Sequence, residues 1–587
     1  TTGNFGGPGE TLIFFNRKPC SDFFFRDAIS NWIPSAEKMA FYNTRIPMTL
    51  LAYNFGGSKQ TAQDRLSLNF SGNATKQIQV GVIADYLHSK GSYANQSAKN
   101  LTWGLSGSYI GDRYQFQGYY YHYNIINLEN GGIEDDLYIT DPAEIQGGIT
   151  SVDTKIIPTR LTQASSRVVG GQLFLNNKYN LGFYRDVELE EFPDSIVTEF
   201  VPVTSIIWTL DYRAAHHNFN NRNSTQNKEF WRDTYFTPDN TFDRTSYWSI
   251  RNTFGISLLE GFNKYAKAGL SAYLTHEYRH FRQTLDPDTL PAIPETLEPL
   301  NFIDMPGVKS QNLLYVGAQL SKQQGKLLTY DGNIRFGLLG DAIGEVKASG
   351  LITAHIPLLK REVDVTGFID FSNEAVPYLL RQYISNHFVW NNNFGKTRRL
   401  KFGGSLAIPS TYTSLTVGVE NLQNLVYFDN LALPAQARDN IQVFSASLNQ
   451  AIRYRAFNWE NRITFQTSSN STALPIPALS VYSNLYFYFK IARVLQVQFG
   501  IDCDYYTRYK AVSYQPATMA FYNQNEIDCG NYPFMNLYCN MKLGRARFYL
   551  MMSHINQGLT GKNYFSMPHY PLNPRRFQLG VSIDFLN

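Results

Sequence analysis

The chain has 587 residues, of which 43% are hydrophobic and 17% charged, and its net charge is +4. So small a net charge, with no Lys/Arg cluster, argues against a nucleic-acid partner. No apolar run approaches the ~20 residues that a membrane-spanning helix requires, and the four cysteines (Cys20, Cys503, Cys529, Cys539) form no CxxC pair and have no His cluster beside them, which argues against a zinc site.

Residues 1–45 alternate poorly and carry the aromatic clusters Leu12-Ile13-Phe14-Phe15 and Phe23-Phe24-Phe25. Residues 35–41 could form a short helical turn. The first residues lack the basic start and apolar stretch of a signal peptide, so an exported protein would have lost its signal already. This segment is expected to be an N-terminal arm, periplasmic or tucked into a lumen, ahead of a second unit at 46–587.

From Pro47 onward the chain alternates with period 2, as successive side chains on a strand point to opposite faces. Val80, Val82, Ala84 and Tyr86 oppose Gln79, Gly81 and Asp85; Leu101, Trp103 and Leu105 oppose Thr102, Gly104 and Ser106. Trp248, Ile250, Phe254 and Ile256 oppose Ser249, Arg251, Thr253 and Ser257, and the pattern recurs to the final Phe577, Leu579, Val581, Ile583 and Phe585. Each stretch has one apolar and one polar face, the division that lipid outside and water inside impose. Tight links are expected near 73–76, 111–112, 260–263, 323–324, 409–411, 456–458, 491–493 and 544–545. Longer ones are expected near 56–61, 88–98, 127–167, 216–244, 285–309, 372–396, 430–440, 508–531 and 555–575. Tight links follow even strands and long links odd strands, as in outer-membrane barrels. The expected fold is an all-β, antiparallel transmembrane barrel of about 22 strands, within 18–24. The acidic stretch 185–196 and the stretch 388–394 leave that count open.

Ile13-Phe14-Phe15-Asn16-Arg17-Lys18-Pro19 with Asp22-Phe23, and Phe41-Tyr42-Asn43-Thr44-Arg45-Ile46-Pro47 running into Asn54-Phe55-Gly56-Gly57-Ser58-Lys59-Gln60, resemble the putative porin family of Bacteroidota outer membranes. The general layout is similar along essentially the whole chain. The resemblance implies an outer-membrane barrel with a pore function and supplies no functional residues to carry over.

Charges on the polar faces are the candidate pore lining: Arg113, Arg251, Glu345, Lys347, Glu362, Asp364, Lys401, Glu460, Arg462, Asp502, Arg545 and Arg547. They either pair to brace a closed barrel or line a wet, mixed-charge passage, since buried charges must be hydrated or paired. The loop at 127–167 is the expected infolded constriction. Its acidic run makes Asp135, Asp136 and Asp141 candidate calcium ligands, although the spacing is not that of a calcium loop. Cys503 and Cys529 are a candidate disulfide. Ser553 and His554 are adjacent, so they point to opposite strand faces and cannot act as a nucleophile–base pair; no catalysis and no cofactor are expected. The expected function is passive diffusion of small hydrophilic solutes through a porin-like channel in the outer membrane, with both termini periplasmic. Outer-membrane lipid, lipopolysaccharide and other outer-membrane proteins are the expected partners. The alternative is an occluded barrel serving as a structural subunit of a larger outer-membrane complex. A secreted, soluble all-β protein is a third reading.

Overall fold

The computed structural model describes residues 1–35, 39–189, 192–223, 227–263, 265–285, 307–358 and 361–586. Twenty-two strands form one antiparallel sheet. The first, Met48–Gly56, pairs with Gln63–Asn73 on one side and with the last, Arg576–Leu586, on the other, so the sheet closes on itself. Closure leaves no free edge, the condition for a sheet that spans a membrane. No helix among the described residues is long and apolar enough to do so.

The outer wall carries the apolar half of each alternation, with Leu101, Trp103, Leu105, Phe254, Ile256 and Phe499 all exposed. The inner wall is polar and hydrogen-bonded across strands. Thr253 meets Thr275 at 2.9 Å, Thr353 meets Thr366 at 3.0 Å, and Arg65 grips Asp85 through Nε and Nη2 at 3.0 and 2.7 Å.

Links alternate in length around the barrel. At one end they are short, as between Ala98–Ile110 and Tyr114–Glu129. At the other end, loops over 130–163, 375–396, 507–533 and 554–575 fold inward and form their own hairpins, among them Gln382–Ile384 with Val389–Asn391 and Ser513–Gln515 with Ala520–Tyr522. The ambiguous stretch at 388–394 therefore belongs to an infolded loop. Most of the expected link at 285–309 lies outside the described residues.

Residues 185–189 and 192–196 of the acidic stretch are strand. Ala164–Leu189 and Phe192–Asn221 are the longest strands in the barrel. Their outer neighbours pair with them only as far as Tyr179 and Thr204. Beyond those points the two strands pair only with each other, as a ribbon projecting from the short-turn end.

The arm runs the length of the lumen. Met48 pairs with Leu586 at the short-turn end, and Thr44 N–H donates to Asn73 there. Thr1, by contrast, lies under the long loops, where Ser566 donates to its carbonyl and Gln96 to that of Thr2. The first and last barrel strands thus meet at the short-turn end, and residues 1–35 lie tucked in the lumen. Residues 36–38, within the expected helical turn, lie outside the described residues.

Candidate functional site: arm and lid in the lumen

Two 3-10 turns shape the arm, Phe14–Asn16 and Phe24–Trp32. Phe23, Phe25 and Ile29 are fully buried. Phe25 stacks on His217 of the wall with ring centroids 4.2 Å apart, and Phe23 on Tyr247 at 5.8 Å. Phe24 meets Phe428 of one infolded loop at 5.8 Å, and Phe25 meets Tyr383 of another, also at 5.8 Å. Arm, wall and lid thus share one apolar core across the loop end of the lumen. On the opposite wall Phe14 packs with Leu422, Ile441 and Val443. Its neighbour Phe15 lies against Gly418, where a Cβ would come within 2.7 Å of the ring. Only glycine leaves room for that contact.

A chain of charges latches the arm. Asp211 accepts from Arg213 Nε and Nη2 at 3.1 and 2.6 Å. Glu277, 2% exposed, accepts from Arg251 at 2.9 Å and from Arg279 at 2.7 Å. Arg279 Nη1 then donates to Asp22 of the arm at 2.7 Å. On the far side the Lys401 ammonium sits 4.6 Å from the Phe15 ring, a cation–π contact.

The infolded loop 375–396 is pinned by His387. Its Nδ1 donates to the Asp233 carbonyl at 3.0 Å, Thr241 Oγ1 donates to its Nε2 at 2.8 Å, and its ring stacks on Trp231 at 3.9 Å. Burial lowers its pKa from 6.5 to about 4. The unfolded imidazole binds a proton first as pH falls, so the contribution of His387 to stability is full above pH 6.5 and declines between 6.5 and about 4. The loss is on the order of 3 kcal/mol for the pinned loop. We predict that Trp231 and Trp390 fluorescence will report lid loosening over that pH window, and that His387→Gln will flatten the profile.

Most of the expected pore-lining charges face inward. Arg251 is paired in the upper lumen, and Glu345 accepts from the Ala375 N–H near the loop end. Lys347, Glu362 and Arg547 are exposed on the inner wall. Glu460 accepts from Tyr486, Arg462 donates to Asn449, and Asp502 accepts from Asn536. Two residues depart from the expectation. Arg113 and Arg545 lie in short turns, beyond the strands that would have aimed them inward. Arg113 instead reaches the projecting ribbon, 5.7 Å from the rings of both Tyr184 and Phe200.

The calcium trio does not assemble. Asp135 caps Leu137 N–H, Asp136 holds His569 at 3.1 Å, and Asp141 precedes a separate helical turn. The cysteines are all free. Cys503 has the outward parity of Phe499 on its strand, whereas Cys529 is buried among the loops, so the candidate disulfide has no geometry to form. Among the described residues one group offers metal donors, His355 with Glu362 and Asp364, whose ligand atoms lie within 4.8 Å of one another. Register explains it: His355 faces Asp364 directly, and Glu362 is two residues away on the same face. The sequence reading missed this cross-strand pairing. Beside the expected constriction at 127–167, which gives Leu161 to the core that holds the arm's aromatics, loops 375–396 and 507–533 give Tyr383, Trp390, Tyr514 and Met519 to the same core.

A family model described as "Putative porin" matches residues 1–587. Among solved structures, the chain is similar to a ferric enterobactin receptor from Pseudomonas aeruginosa in complex with enterobactin. That likeness has 12% identity and a TM-score of 0.62, covering 92% of this chain and 82% of that one. It is also similar to the siderophore receptor PirA from Acinetobacter baumannii, at 11% identity and a TM-score of 0.60, with 93% and 81% covered. A third likeness is to the siderophore receptor PiuA from the same organism, at 10% identity and a TM-score of 0.56, with 92% and 82% covered. No curated protein sequence matches the chain. At such identities the likenesses establish the barrel fold alone.

Proposed function

The chain belongs to the putative porin family over its whole length and folds as an outer-membrane barrel, and we propose that it passes small hydrophilic solutes by diffusion, with the arm and lid as its gate. The carrying observation is the contrast between the two ends of the lumen. At the short-turn end, inward charges of both signs (Glu362, Arg453, Lys542, Arg547) are exposed and so hydrated. At the loop end, Phe23, Phe25, Tyr383 and Tyr514 are packed dry. Hydrated charge of mixed sign suits polar solutes, and a dry constriction closes the path until it moves. On this reading the short-turn end and its ribbon face the periplasm, lipid and lipopolysaccharide surround the wall, and no bond is made or broken.

In a planar bilayer the purified protein should show a closed level interrupted by discrete openings. No openings at any voltage would overturn the channel. A second reading, a closed barrel acting as a subunit of an outer-membrane assembly, draws on the same dry loop end. It expects stoichiometric partners on purification and no conductance.

A further inference from the structure

Between the arm and the wall lies a cavity of about 460 Å³. It could hold roughly fifteen waters at liquid density. A smaller cavity of about 240 Å³ shares Arg17, Lys18 and Asp27 with it. Among the described residues, Arg17, Lys18, Arg26 and Arg213 line the larger one together with the carboxylates of Glu10 and Asp27. Neither carboxylate is idle. Glu10 lies 3.6 Å from Arg17, and Asp27 accepts from the Ser21 N–H at 2.9 Å and from its hydroxyl at 2.6 Å.

Arg26 differs from its neighbours. Among the described residues it forms no ion pair; Asp27 and the phenols of Tyr121, Tyr123 and Tyr247 surround it, with Tyr123 in hydrogen-bond reach. Its guanidinium is half-buried and faces the cavity, where an entering anion can take its N–H donors. Across from it the wall carries a directed chain. Tyr121 donates to Gln172 at 2.8 Å, Gln172 to Asp211 at 2.6 Å, and Arg213 to Asp211 through Nε and Nη2. Arg213 Nη1 makes no hydrogen bond among the described residues, so its donors remain for a ligand. A planar guanidinium on each side suits an oxyanion, which can take paired N–H donors from both.

We propose that this cavity binds a small oxyanion, a carboxylate or a phosphate, held between Arg26 of the arm and Arg213 of the wall. The site exists only while the arm is seated, because Arg17, Lys18 and Arg26 all belong to the arm. Bound anion therefore stabilises the seated arm, and by linkage the seated arm raises anion affinity. The inference rests on the channel reading only in taking this cavity as part of the solute path.

The test is calorimetric titration of the full chain in detergent with inorganic phosphate, with succinate, and with glycerol as the uncharged control. Saturable binding of phosphate, succinate or both is expected, and none of glycerol; the anion that binds identifies the class. Arg26→Gln and Arg213→Gln should each weaken binding about tenfold or more, the loss expected for a charge-assisted hydrogen bond. Arg26→Lys keeps the charge but not the paired donors, so its affinity should fall between the parent and Arg26→Gln, and a barrel-like heat-modifiable gel shift in all three variants separates lost ligand contact from a folding defect. Saturating anion should also slow tryptic cleavage after Arg17 and Arg26 in the parent chain. Saturable binding of neither anion, or unchanged binding in Arg26→Gln, overturns the site. Conductance without anion binding would sink the site and leave the channel; binding without conductance would do the reverse.

Discussion

Deleting residues 1–31 is expected to raise single-channel conductance severalfold and to abolish most closures. The barrel does not need these residues to close its sheet, since every strand from Met48–Gly56 to Arg576–Leu586 finds both neighbours without them. The lid does need them. Phe23, Phe24 and Phe25 bridge the wall at His217 and Tyr247 to the loops at Tyr383 and Phe428. Without the arm, the loop aromatics lose their common partner and the lumen fills with water. A graded version is available in Phe25→Ala. Truncating a buried phenylalanine costs roughly 3–5 kcal/mol. If that falls on the seated state alone, the open fraction rises by roughly two to three and a half decades. Heat-modifiable migration on a gel would confirm that both variants still form barrels. Parental conductance in the arm-deleted barrel would show that the lumen is not gated by the arm.

Much of this architecture was legible in the chain itself, and its physical origin explains which parts were not. Lipid outside and water inside impose a period-2 code on every strand, so faces such as Leu101, Trp103 and Leu105 against Thr102 and Gly104 could be assigned one strand at a time. Alternating link lengths gave the count of about 22. The arm obeyed no such code, because its partners lie hundreds of residues away: Phe14 N–H donates to Gln466, and Arg279 reaches Asp22. Period alone also misplaced Arg113 and Arg545, whose parity was right but whose strands ended before reaching them. The acidic stretch at 185–196 left the strand count open; its residues 185–189 and 192–196 belong to two strands that run on past their neighbours, a length that only pairing can show. Cross-strand groups such as His355 with Asp364 depend on register, which a period cannot supply.

Glu277→Ala should be the most damaging single substitution on the inner wall. The carboxylate is almost wholly buried, and each oxygen holds a different guanidinium, Arg251 through Oε2 and Arg279 through Oε1. Removing it leaves two cations facing each other with no anion between them. Breaking a buried ion pair from one side costs roughly 3–5 kcal/mol, because the surviving charge keeps its desolvation penalty and loses its partner. Here two charges survive, although Arg279 retains Asp22. The damage should spread to the arm, since Arg279 is aimed at Asp22 by its bond to Glu277. Two measurements separate the effects: the urea midpoint of the barrel should fall, and openings in the bilayer should become more frequent. Glu277→Gln keeps the shape and one acceptor and should fall between parent and Ala. Adding Arg251→Met to Glu277→Gln removes one stranded cation and should recover part of the loss, a coupling that a double-mutant cycle would measure. A Glu277→Ala protein with the parent's midpoint and gating would mean that water, not Glu277, already balances these arginines, and that the arm is held by its aromatic contacts alone.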